Sequence, residues 1–139
     1  MRRRPARRAP RDRGAAAVEF ALLLPLLALL VFGIVDFGRG LNAQITLTQA
    51  AREGARMAAL GESNANVVSG TQNAATGLSP VSVTVTSCPA GAAAGVNAIV
   101  QVSYTFTFLT PVGSIAKIFG GGWGSTLTLT AQGVMPCET

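Results

Sequence analysis

The chain has 139 residues, of which 49% are hydrophobic, 12% are charged and none is histidine. That balance is too apolar and too poor in charge for an ordinary soluble domain of this length, and it points to a membrane segment. With no histidine, few acids beyond the leader and no glycine-rich phosphate loop after a strand, there is no general-base pair, catalytic triad or metal set to build from. An enzyme is therefore not expected, nor is a cofactor or a bound metal.

The formal charge of +5 is unevenly spread. Residues 1–14 hold seven arginines (Arg2, Arg3, Arg4, Arg7, Arg8, Arg11, Arg13) against Asp12, a count of +6, while residues 15–139 have four basic residues against five acids. This leader, interrupted by Pro5 and Pro10, has too few apolar side chains to bury a core and should be disordered. An arginine tail can neutralise nucleic-acid phosphates. Here it precedes 21 residues, 15–35, whose one charge is Glu19, long enough to cross a hydrocarbon core of roughly 30 Å. The positive-inside rule then keeps the arginines in the cytoplasm and sends the remainder outside, and no nucleic-acid partner is expected.

A helical pattern continues past the apolar run to residue 60, where Gly61 is a plausible C-cap. A single helix over 15–60 would be roughly 69 Å long, and about half of it would stand outside the membrane. Pro25 should kink it. In the outer half, Ala50, Gly54 and Ala58 form one stripe and Ala51, Ala55 and Ala59 the next, the small-xxx-small spacing that lets helices approach closely. Gly33, Gly40 and Gly54 fall nearly on one side, each at a cost of about 1 kcal/mol in helix propensity. This face packs either against another helix or, with Gly33 and Gly40 as ordinary membrane-helix glycines, against the chain's own sheet.

Residues 64–76 read as a short second helix with Val67, Val68, Ala74 and Ala75 as its apolar positions. Strands follow. Val81, Val83 and Val85 alternate with Ser82, Thr84 and Thr86; Val100, Val102, Tyr104, Phe106 and Phe108 alternate with polar residues; Leu127, Leu129 and Ala131 alternate with threonines. Residues 89–97 and 113–125 read as loops. In the second loop, Ile115, Ile118, Phe119 and Trp123 with Lys117 make an apolar tip that either rests on a membrane or partner or caps the sheet. The two cysteines, Cys88 and Cys137, are 49 positions apart, and without histidine they read as a disulfide between strands, not a metal site. In the chain-entropy model such a bond contributes about 4 kcal/mol, and it requires an oxidising compartment. The expected fold class is α+β: a basic leader over 1–14, a long helix over 15–60 that spans the membrane over about 15–35, and an extracytoplasmic domain over 61–139. That domain would hold the short helix and a small antiparallel sheet of three to four strands.

Glu19 is the unusual residue of the apolar run. It either snorkels to the interface or has a partner, because a charge well inside a membrane helix costs about 2.5 to 3.5 kcal/mol on insertion scales. Cleavage after Gly14 would leave an amine at Ala15 one helical turn from Glu19, placed for mutual neutralisation within one subunit or between two. The string Arg13-Gly-Ala-Ala-Ala-Val-Glu-Phe20 resembles the class III signal of type IV pilin-like proteins. Together with Phe32-Gly-Ile-Val-Asp-Phe-Gly-Arg39 and Ala50-Ala-Arg-Glu-Gly-Ala-Arg56, it resembles the TadE-like family, pseudopilins of the tight-adherence (Flp) pilus. The resemblance covers residues 13–60. It implies that Gly14 and Ala15 flank a cut made by an inner-membrane prepilin peptidase, and that Glu19 and Phe20 serve recognition and assembly. It implies other tight-adherence pilins and pseudopilins, an assembly platform and an ATPase as partners. An uncleaved, signal-anchored binding domain is the alternative. A secreted protein cut at Leu41-Asn-Ala43 is disfavoured by Asp36 and Arg39 ahead of the cut.

Overall fold

The computed structural model describes residues 12–93, 95–109 and 126–137. The arginine leader up to residue 11 and the expected apolar tip carrying Ile115, Lys117, Ile118, Phe119 and Trp123 lie outside the described residues. The fold is α+β, in the order α1 (Asp12–Ala59), α2 (Asn64–Ala74), β1 (Val81–Thr86), β2 (Asn97–Thr107) and β3 (Thr126–Pro136).

Helix α1 is continuous through Pro25 and runs for 48 residues. It starts ahead of Gly14, inside the segment assigned to the leader. It ends where Gly61 takes φ +79°, a conformation that costs glycine little. Gly61 N–H donates to the Ala58 carbonyl and Glu62 N–H to the Met57 carbonyl, each at 3.2 Å, the paired bonds of a Schellman motif. The chain turns back at once. Ser63 caps α2 by accepting the Asn66 N–H at 3.3 Å, which satisfies one of the helix's orphan donors.

The three strands form an antiparallel sheet in the order β1-β2-β3. Val81, Val83 and Val85 of β1, Ala98, Val100, Val102 and Phe106 of β2, and Ala131, Gly133 and Met135 of β3 turn inward. The intervening Ser, Thr and Gln residues turn to the open face, as the period-two pattern requires. The covering layer is the outer half of α1, with Ala43, Leu47, Ala50, Ala51, Ala55 and Ala58 buried, and α2 fills the remaining corner with Val67, Thr71 and Ala75. Buried positions on α1 recur at steps of three and four, the stripe of an amphipathic helix. On its solvent side, Arg56 donates to Glu53 at 2.8 and 3.1 Å, and that hydrogen bond holds the Glu53 carboxyl below its ordinary range.

Small residues set how closely these layers approach. A methyl on Gly54 would meet Thr71 Oγ1 and Val100, and one on Gly133 would overlap the Ala51 carbonyl. Thr71 lies fully buried and donates to the Val67 carbonyl at 2.7 Å, so its hydroxyl is satisfied within α2. Strand β3 runs past the expected threonine-rich stretch to Pro136, because Gly133 lets it continue beneath α1. Strand β2 begins at Asn97, three residues before the alternating pattern, where Cys137 N–H donates to the Val96 carbonyl at 2.9 Å. The Cys88–Cys137 disulfide closes this same end of the sheet, with Cα atoms 5.8 Å apart. Ser87 and Asn64 join β1 to the start of α2 beside it.

Gly133→Ala is expected to destabilise the domain by about 1 to 3 kcal/mol through overpacking, read as a lower urea midpoint of the detergent-solubilised chain. Gly38→Ala, at a helical glycine with nothing within 4 Å, is expected to leave the midpoint unchanged or raise it slightly. Equal midpoints for the two variants would contradict the close approach of β3 to α1.

Candidate functional site

Two regions of α1 carry chemistry: the bare N-terminal half with Glu19, and the point near Asp36 where the helix meets the domain. Along the first, Val18, Phe20, Leu22, Leu23, Leu24, Leu26, Leu27, Leu30, Val31, Phe32, Ile34 and Val35 are exposed, and Ala28, Leu29 and Gly33 are half-buried. The helix from residue 14 is long and apolar enough to cross a membrane, and none of its apolar window is buried inside the protein. An apolar surface of this extent has no place in water.

Gly14, Ala15, Glu19 and Phe20 all lie on α1 and are all exposed. Gly14 meets nothing within 4 Å. One helical turn separates Ala15 from Glu19, so an amine on Ala15 would lie within reach of that carboxylate. The Gly14–Ala15 peptide is helical here, and a protease that binds extended backbone would have to unwind the first turn to reach it. Glycine at that position lowers the cost of unwinding by about 1 kcal/mol relative to alanine.

Seventeen residues after Glu19, Asp36 is 2% exposed and is the first fully buried residue of α1. Its Oδ1 accepts Arg39 Nη1–H at 3.1 Å and the backbone N–H of Leu109, just beyond β2, at 3.2 Å. The Arg39 guanidinium lies over the Phe106 ring, 5.2 Å from its centroid. Phe106 in turn packs edge-on against Phe108 at 5.3 Å and covers Gly40, its atoms 3.8 Å from where a Cβ would lie. The buried carboxylate thus accepts from both an arginine and a backbone donor. The effect is to lock the start of the outer half of α1 to the end of β2. Sequence reasoning passed over Asp36 as a locking residue, although an acid and an arginine three apart at the end of an apolar run signal a helix-surface pair. Its long-range partners, Phe106 and Leu109, carry no such signal.

The small residues divide. Ala50, Gly54 and Ala58 are fully buried against the chain's own α2 and sheet. Gly40 lies beneath Phe106, and Gly33 meets nothing within 4 Å. So the outer part of the stripe is occupied within the subunit, and Gly33, half-buried, meets no close neighbour among the described residues.

Residues 14–56 match the model of the family described as TadE-like protein. The N-terminal helix is TadE-like. The match begins at Gly14 and ends at Arg56, taking in both Glu19 and the Asp36 lock, and it names the family that the residues themselves resemble. No curated protein and no solved structure matches the chain. The TadE-like segment covers the helix alone; behind it the chain continues into a small α+β domain.

Asp36→Ala is expected to cost roughly 1 to 3 kcal/mol, the loss of the hydrogen bonds that its buried carboxylate accepts from Arg39 and from Leu109 N–H. Faster hydrogen exchange at the Leu109 amide should accompany it, with Arg39→Ala milder on both measures. Unchanged exchange at Leu109 in Asp36→Ala would contradict the lock.

Proposed function

We propose that the chain is a minor pilin or pseudopilin of a tight-adherence (Flp, type IVc-like) pilus, a structural subunit and not an enzyme. Its bare apolar half would be held in the cytoplasmic membrane, with the arginine leader inside and the disulfide-closed domain outside. A prepilin peptidase of the inner membrane cuts between Gly14 and Ala15, and the freed helix enters a pilus assembled with other tight-adherence pilins, an assembly platform and an ATPase. The observation that carries the reading is the TadE-like match over a helix that is bare in one half and forms the domain's core in the other. Such a helix suits lateral packing with copies of its kind once it leaves the bilayer. In this reading Glu19 neutralises the Ala15 amine of its own or a neighbouring subunit, and Phe20 packs beside it.

Co-expression with a prepilin peptidase, followed by mass spectrometry of the N-terminus, is expected to give a mature chain that begins at Ala15. An uncut chain would favour a permanently anchored binding domain and contradict the pseudopilin. Glu19→Ala is expected to insert in the membrane yet leave pili unassembled; normal pili in that variant would remove the assembly role of the glutamate.

A further inference from the structure

A cleft of about 190 Å³ opens between α1 and the turn that joins α2 to β1, lined by Arg39, Asn42, Thr46, Thr76, Tyr104 and Phe106. Its lining is mixed: Arg39, the Asn42 amide and the Tyr104 hydroxyl can donate into it, the Thr46 and Thr76 hydroxyls donate instead to the Asn42 and Ala74 carbonyls, and Ala43, Leu78 and Phe106 are apolar. Arg39 is the single charged residue among the described residues of the lining, and its side chain is 42% exposed. Asp36 takes one of its N–H groups, and a guanidinium carries five. The stack on Phe106 and the bond to Asp36 hold the guanidinium in place, so it offers its remaining donors with little loss of side-chain freedom. Asn42 is exposed and the Tyr104 side chain half-buried. The acid that balances Arg39 is buried behind it and does not reach the cleft. A preorganised guanidinium beside one amide and one phenol hydroxyl, with an aromatic floor, is suited to an anion with planar or tetrahedral oxygens.

Depth narrows the choice of anion. If residues 15–35 fill the hydrocarbon core, Arg39 is four residues beyond it, roughly 6 Å further along the helix. The polar headgroup layer on each side of a bilayer is about 5 to 7 Å thick. The topology brings the α2–β1 turn and the end of β2 to this same end of the domain, because Val81 pairs with Tyr104 and Leu109 bonds to Asp36.

We infer that the Arg39–Asn42–Tyr104 cleft binds a phosphate group, and that phospholipid headgroups of the outer leaflet are its nearest source. The inference rests on the membrane-spanning reading given above. Held this way, the domain would sit at a fixed height and rotation on the bilayer until the helix is drawn out.

The chain has one tyrosine, so ¹³C-tyrosine labelling gives a single ring signal inside the cleft. The full-length chain is reconstituted in nanodiscs of a phosphate-free galactolipid, and incorporation is scored by co-elution. Phosphatidylglycerol is then titrated into the discs, and inorganic phosphate is added to the galactolipid discs in a separate arm. The Tyr104 signal is expected to shift saturably with phosphatidylglycerol. Arg39→Gln should raise the half-saturating fraction by about tenfold or more, the loss of a charge-assisted bond, and Asn42→Leu should raise it by less; the second variant removes a neutral donor without adding a charge beside Arg39. The same shift with inorganic phosphate supports the phosphate cleft and moves its source to the soluble ion. No shift in either arm, or equal shifts in both variants and the wild type, overturns the inference. A chain that fails to enter the discs instead overturns the membrane span, and the headgroup source with it.

Discussion

One helix has to satisfy two surroundings, and the residue at which it changes from one to the other is Asp36. Before it, α1 is apolar and largely exposed, with no fully buried residue among those described; after it, the same helix becomes the core-facing layer of the domain. A rigid rod joined to a small sheet would pivot if only the sheet's apolar face held it. The buried carboxylate bonded to Arg39 and to Leu109 N–H, with Phe106 over Gly40, fixes the joint. The direction in which the apolar half leaves the domain follows from that contact.

The domain beyond the joint is small, and its core is made mostly of alanine and valine. Small residues bring backbones close, which gives dense packing but little apolar area per residue. Two ties compensate, one at each end. At the end near Asp36 it is the polar lock, and at the far end it is the Cys88–Cys137 bond, which holds the end of β3 to the segment after β1. Between them Gly54 and Gly133 set the spacing of helix and sheet.

Much of this was legible in the residues. The period-two alternation of apolar with polar, mostly hydroxyl-bearing residues marks all three strands, and the C-terminal end of α1 is readable from Gly61. The cysteine pair is readable from its number and the lack of histidine. Other features depend on contacts between distant residues and leave no local trace. Gly133 interrupts the alternation of β3, so the strand seems to end early, and only the approach of Ala51 explains why glycine stands there. Ala50, Gly54 and Ala58 have a spacing that serves a helix and a sheet equally well; Thr71 of α2 and Val100 of β2 both fill it from within the chain. Asp36 is visible as an acid near an arginine, but its burial depends on Leu109, 73 positions away. The N-terminal junction is the reverse case, since Gly14, Ala15, Glu19 and Phe20 stand out by sequence pattern while the isolated subunit gives them no partner among the described residues.

Whether α1 changes solvent at Asp36 is read from lipid accessibility along the helix. Nitroxide labels placed singly from residue 20 to residue 45 of the full-length chain in vesicles would be read by collision with oxygen, which enriches in lipid, and with a water-soluble nickel complex. The account predicts oxygen-dominated collisions at every position through Val35, then a change within one turn after Asp36 to nickel-dominated collisions at exposed sites such as Leu41 and Ile45. Lipid-type accessibility persisting at Leu41 and Ile45, or water-type accessibility already at Leu30, would contradict it.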